Sequence, residues 1–297
     1  MRQVTVLAAV AVLAGCASGP REPETPIAPP AAVAKVPPRV GLALGGGAAR
    51  GFAHVGVLQV LEEAGIKPDL VVGTSAGSLV AALYASGRNG QQLQQVAMTM
   101  DEAAFADWTL PLFNRGVLRG EALGRYVNGQ VNNRLIENMA VPLGIVATDL
   151  NTGQGVLFRR GDTGTAVRAS SAVPAVFVPV KIGSQEFVDG GLVSPVPVRY
   201  ARQMGGEVII AVDISSAPEG NPSGDSIHLL LQTFAIMGKS INSWELKDAD
   251  IVVRPSLVGM GSGDFTNKKR AIEAGRAAML AALPQLRAAM EAKAHTP

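Results

Sequence analysis

Short apolar runs and helical stripes take turns along most of this chain. "RVGLALG" is a continuous apolar run closed by glycines, the pattern of a strand buried on both faces, and it begins near Arg39. Behind it, "GFAHVGVLQVLEEAG" sets Phe52, Val55, Val57, Leu58 and Leu61 at helical spacing, with Gly65 as the stop. "DLVVG" predicts a second strand and "AGSLVAALYASG" a second helix. Residues 89 to 139 read as helical, with a break at "LPLFNRG". Further on, "VPLGIVATDL" predicts a strand, and "VPAVFVPVKIGSQEFVDGG" predicts two short strands around a turn at Gly183-Ser184. "VPVRYARQMG" predicts a helix, and "EVIIAVDIS" and "ADIVVRP" two buried strands. A C-terminal helix follows, which Pro284 is expected to break or kink. Buried strands separated by helices predict an α/β fold of three layers: a mostly parallel central sheet with helices on both faces.

The N-terminus departs from this rhythm. "MRQ" is a short positive start, and Val4–Ala14 is an apolar run of 11 residues, too short to span a bilayer but right for a signal-peptide core. It ends in Leu13-Ala14-Gly15-Cys16, which resembles the bacterial lipobox, whose cysteine sulfur takes up a lipid. The plainer reading is a signal peptide with a fortuitous cysteine. Cys16 is the only cysteine, so no intrachain disulfide can form. The proline- and alanine-rich stretch after it lacks periodicity and reads as a tether. The expected organisation is therefore a lipoprotein signal peptide over 1–15, a lipid-anchored tether over 16–38 and one domain over 39–297. Ser18, with no aspartate beside Cys16, favours passage to the outer membrane in the lipoprotein pattern. The expected location is the bacterial cell envelope, at the periplasmic face of the outer membrane.

Composition adds two limits. At 47% hydrophobic residues the chain can bury a core, and a net charge of +2 with no basic run among aromatics gives no argument for nucleic acid.

Candidate chemistry starts with Gly73-Thr74-Ser75-Ala76-Gly77, which fits the G-x-S-x-G nucleophile elbow in its strand–turn–helix context. Ser75 is a nucleophile on this reading; on the plainer one it is a small residue in a tight turn. Gly45-Gly46-Gly47 closes one strand and opens a helix, so its N–H groups can converge on an anion. It fails the P-loop and G-x-G-x-x-G patterns, which leaves an oxyanion hole or a ligand-free turn. Asp189-Gly190-Gly191 ends the strand "QEFVDGG". A Ser-His-Asp triad in hydrolase order needs a histidine after that aspartate, and only His228 and His295 follow. His295 is expected in a frayed tail, and His54 reads as a packing residue on the first helix. Asp189 is then left to act directly on Ser75, with a His228 triad as the alternative. An exposed aspartate, with a pKa of roughly 4, is a poor base for a serine hydroxyl, so burial is expected to raise it. Asp149 and Asn151, in "VATDLNTGQ", read as turn formers.

Taken in order, "GGGAARGFAHVGVLQVLEEAGI", "GTSAGS", "RASSAVPAVFVPV" and "VDGGLVSPVPV" resemble the bacterial patatin-like phospholipase family over most of residues 39 to 215. The resemblance implies a serine acyl hydrolase with a Ser–Asp dyad and no cofactor or metal. Ser75 would be the nucleophile, Asp189 the base, and Gly45, Gly46 and Gly47 the oxyanion donors. Arg50, Gly73, Gly77, Gly190 and Gly191 would be supporting motif residues. Ala48 stands where the family commonly has a fourth glycine; if that position needs φ > 0, alanine costs about 1 kcal/mol. The expected partners are an acyl-lipid substrate and a membrane reached through the N-terminal anchor. A catalytically silent scaffold with this fold is the remaining alternative. Gln91 to Asn138 is expected to cap the site, and Ala106–Phe113 to be either a lipid-facing element or a core or hinge segment.

Overall fold

Alternation within the strands decides which side of the sheet each residue supports. In the computed structural model, which describes residues 35–101, 107, 116–215, 226–261 and 263–295 (226–228 as backbone only), β1 spans Val40–Leu44 and β2 Leu70–Thr74. Leu42 and Leu44 of β1 and Val71 of β2 join one core cluster, while Ala43, Leu70 and Val72 join another on the opposite face. The first cluster is covered by α1 (Phe52–Glu63), α2 (Ala76–Ala85), α3 (Gly90–Thr99) and α8 (Lys268–Lys293). The second is covered by α6 (Val198–Gln203) and by Leu246. Helices on both faces of one sheet are the layered arrangement that the apolar runs predict.

The central sheet runs β10-β9-β1-β2-β4-β8-β7, with β5 also paired to β4. Here β4 is Leu143–Asp149, β5 Gly155–Phe158, β7 Val180–Ile182, β8 Gln185–Asp189, β9 Val208–Val212 and β10 Ile251–Val253. Pairings from β10 to β4 are parallel; β8 pairs antiparallel with β4 and with β7. β3 (Gly116–Leu118) and β6 (Ala175–Phe177) form a separate parallel pair. The remaining helices are α4 (Glu121–Gln130), α5 (Thr163–Ser170) and α7 (Ser226–Glu245). Lys35–Pro297 forms one compact unit.

Several expectations change. α8 runs 26 residues without interruption, so Pro284 does not break it. The segment expected to give two strands gives three, because Ala175–Phe177 leaves the sheet to pair with β3. His295 is not frayed: its backbone N–H and carbonyl pair with Val36. Within the expected cap, α3 and α4 are helical as read, and Asp107 accepts from the N–H groups of Gly120 and Ala122 at the start of α4. The rest of Ala106–Phe113, Cys16, the signal peptide and the tether up to residue 34 lie outside the described residues.

Candidate active site

The elbow is built by close approach. A side chain at Gly73 would collide with the Gly77 backbone, and one at Gly77 with the Leu44 carbonyl, so the strand–helix crossing requires glycine at both places. Between them Ser75 adopts φ 52 and ψ −124, a backbone region that a side chain enters only under constraint. Its carbonyl accepts from Ser78 N–H at 2.8 Å and Ser78 Oγ at 2.6 Å, and its N–H donates to Ser170 Oγ at 2.9 Å. Ser170 Oγ in turn donates to the Val146 carbonyl at 2.5 Å. A strained residue held by hydrogen bonds on both its peptide groups leaves the side chain pointing where the turn puts it.

Register on β4 brings the partner in. Thr74 opposes Val146, and Asp189 opposes the next residue, Ala147. Ser75 Oγ donates to Asp189 Oδ2 at 2.7 Å across 114 residues of chain. No histidine stands in that bond. Asp189 Oδ1 accepts from Gly191 N–H at 2.7 Å, its carbonyl accepts from Thr148 Oγ1 at 2.8 Å, and its N–H donates to the Ala172 carbonyl at 3.0 Å. Gly190 lies so close to the Val146 carbonyl that no side chain fits there. Burial pushes the Asp189 pKa up to about 6, against the lowering effect of the bonds from Gly191 and Ser75.

The glycine loop differs from the expected donor set. Gly45 N–H extends the ladder between β1 and β9 by one step, donating to Val212 O at 3.0 Å, and Gly46 N–H donates to Pro195 O at 2.9 Å. Both are therefore already paired. Gly47 N–H and Ala48 N–H form no hydrogen bond among the described residues. Gly46 faces Ser75, since a Cβ there would lie 3.1 Å from the Ser75 Cβ. Ala48 has φ 49, so the position does demand the left-handed region that its alanine resists. Arg50 is buried, with Nε donating to Gly47 O at 3.4 Å; burial lowers its pKa, and the nearby Asp213 carboxylate opposes that shift.

The histidines sort themselves. His54 is fully buried, and burial drops its pKa to about 4, so it is neutral at pH 7. Facing the Gly45 carbonyl at 2.8 Å, its Nε2 carries the proton and donates. His54 thus fixes the first residue of the glycine loop rather than moving protons at Ser75. His295 pairs with Val36, ahead of the N-terminal end of β1, whereas Ser75 follows the C-terminal end of the parallel strand β2. His228 lies on α7, and its side chain falls outside the described residues. Asp149 Oδ1 accepts from Asn151 and Thr152 N–H at 2.9 and 3.0 Å, the turn expected there.

Residues 42–202 match the family model for patatin-like phospholipases. The chain belongs to that family. It is similar to an uncharacterized NTE family protein of Mycobacterium tuberculosis, with 35% identity over 202 residues, 64% of this chain and 52% of the relative. Similarity extends to patatin-like phospholipase domain-containing protein 6 of Mus musculus, with 34% identity over 234 residues, 75% of this chain and 16% of that protein. The chain thus spans about half the length of the mycobacterial relative and far less of the mouse one. Among solved structures, VipD from Legionella pneumophila shares the fold at TM-score 0.57 and 14% identity, covering 86% of this chain and 68% of that one.

Two groups in this patatin-like site escaped the sequence reading. Ser170 sits in "RASSAVP", and nothing in its spacing ties it to the Ser75 N–H; only the packing of α5 beside β4 does. The second is a buried run from Thr74 Oγ1 to Ser194 O at 2.9 Å and from Ser194 Oγ to Glu245 Oε1 at 2.6 Å. Burial raises the Glu245 pKa, against the Ser194 bond and the Arg199 charge. Its sequence signal is a lone glutamate at the end of an otherwise carboxylate-free helix.

Proposed function

We propose that this chain is a serine hydrolase of carboxylic-ester bonds in phospholipids or other acyl lipids, with Ser75 as nucleophile and Asp189 as base. The observation that carries the reading is the direct 2.7 Å bond between Ser75 Oγ and Asp189 Oδ2 on a nucleophile elbow. Ser75 Oγ attacks the acyl carbon while its proton passes to Asp189 Oδ2. The leaving alcohol takes that proton back, and an acyl ester remains on Ser75. Water then attacks the ester, again giving a proton to Asp189, and the freed acid leaves Ser75 restored. The raised Asp189 pKa narrows the gap to the serine hydroxyl, and the rest of the barrier falls to the donors facing the oxyanion. The unpaired N–H groups of Gly47 and Ala48 and the N-terminal end of α2 are those donors. Gly45 and Gly46 shape the loop instead. The names of the mouse relative and of the matched family support an acyl-lipid substrate. We further propose that Cys16 carries the lipid anchor and that the enzyme works at the periplasmic face of the outer membrane.

The decisive experiment combines labelling and replacement. A fluorophosphonate is expected to label the parent chain on Ser75 and to leave Ser75→Ala unlabelled, with ester hydrolysis down by about 10⁴-fold or more. His228→Ala is expected to keep activity within about twofold; a loss near that of Ser75→Ala would establish a triad in place of the dyad. Full hydrolysis by Ser75→Ala would remove the proposal.

A further inference from the structure

α7 is turned inside out. Leu229, Ile236, Met237 and Trp244 are 58, 54, 45 and 70% exposed, and at 100° per residue they fall within an arc of about 100°. The opposite arc holds the buried Gly238, Asn242 and Glu245, with Leu231, 37% exposed, on the same side near the start of the helix. Gly238 rests against Pro195, and Glu245 accepts from Ser194, so this polar arc packs on the segment that follows Asp189. A helix that buries its amide and carboxylate and exposes its large apolar side chains has a face made for a non-aqueous neighbour.

Charge selects that neighbour. α7 holds Lys239, and Lys247 follows it with Nζ 3.9 Å over the exposed Trp244 ring. Its only carboxylate, Glu245, is buried; Asp248 lies beyond the helix, in the short turn whose carbonyl holds Arg202. An apolar stripe broken by the small polar Thr233 and Ser240, with Lys239 beside it and an indole under Lys247 at its C-terminal end, is the composition of a helix lying in a lipid interface. No helix among the described residues is long and apolar enough to cross a membrane, so such a helix lies along the surface. A second copy of the chain would set one lysine-edged face against another. We propose that α7 seats the domain on an anionic phospholipid surface, its polar arc resting on Ser194 and Pro195 of the segment that follows Asp189. The proposal rests on the acyl-lipid hydrolase reading for its purpose, though the seating is measurable without it.

The test uses the full chain with Trp108→Phe, which leaves Trp244 as the single indole. With phosphatidylcholine vesicles containing phosphatidylglycerol, Trp244 emission is expected to move to shorter wavelength and to be quenched by lipids brominated on the acyl chain. Vesicles of phosphatidylcholine alone are expected to give a weaker response. The triple variant Leu229→Ser, Ile236→Ser, Met237→Ser is expected to lose at least about tenfold in hydrolysis of vesicle lipid while keeping a soluble short-chain ester within about twofold. Unmoved Trp244 emission, equal response to both vesicle types, or equal loss on both substrates would overturn the proposal. So would a Trp244 shift that follows protein concentration without lipid and coincides with dimer formation. If Ser75→Ala left both substrates turning over, the hydrolase reading would fall while the Trp244 quenching would still decide the seating.

Discussion

Ser75 leaves a strand that runs parallel to its neighbours and enters a turn at φ 52 and ψ −124, whereas Asp189 closes an antiparallel strand in ordinary backbone, φ −50 and ψ 132. The serine side holds conformational strain, offset locally by Ser78 and Ser170. The aspartate side holds almost none; its cost is electrostatic, a carboxylate 7% exposed and satisfied by one N–H and one hydroxyl. One half of the site is poised by geometry, the other by desolvation, and the two respond to different perturbations.

The largest expected effect removes the electrostatic half alone. Asp189→Asn keeps the shape and the Gly191 contact but is expected to lower kcat by about 10³-fold or more, measured on a soluble ester. Because the variant no longer buries a charge, it is also expected to be more stable than the parent by about 1–3 kcal/mol in urea unfolding. Next comes pH. On the proposed mechanism Asp189 must be ionised to act as base, so kcat/KM is expected to fall about tenfold per pH unit below about 6. Stability runs the other way. With its folded pKa above the unfolded value, Asp189 destabilises the fold at neutral pH, and this penalty fades as pH falls from about 6 toward 4. A profile flat through pH 6 would break the contrast.

Two smaller effects probe the strained half. Ser170→Ala takes away the acceptor for Ser75 N–H and is expected to lower kcat about tenfold with KM nearly unchanged. Its pH midpoint should stay where the parent's lies, since the carboxylate is untouched. Ala48→Gly relieves a left-handed alanine, and unfolding should show a gain of about 1 kcal/mol with activity within about twofold.

Reading the chain captured the strained half better than the electrostatic one, for a physical reason. The elbow is local: Gly73, Ser75 and Gly77 lie within five residues, and the collision that makes Gly73 necessary is with Gly77 itself, although the one at Gly77 is with Leu44 of the neighbouring strand. The strands flanking it announce themselves as apolar runs. Asp189 was legible as a motif residue, but its nearness to Ser75 depends on consecutive register positions of β4, which no spacing encodes. The same holds for Ser170, positioned by α5, an element with neither an apolar run nor a clear stripe to mark it. Of the three glycines read as donors, two have their N–H groups committed, because continued pairing of β1 with β9 takes that of Gly45 and Pro195 takes that of Gly46, and no glycine spacing announces either bond. Pro284 misled because it sits in a helix that runs through it unbroken.

The tied-off amide of Ser75 has a stereochemical consequence. With that N–H committed to Ser170 Oγ, the oxygen of an acyl or phosphonyl adduct on Ser75 has its proposed donors at Gly47, Ala48 and the first turn of α2, while the departing group must face Asp189. Those two assignments leave only one handedness at the adduct centre, so on the proposed chemistry the site resolves a racemic phosphonate, and one enantiomer inactivates it far faster than its mirror image.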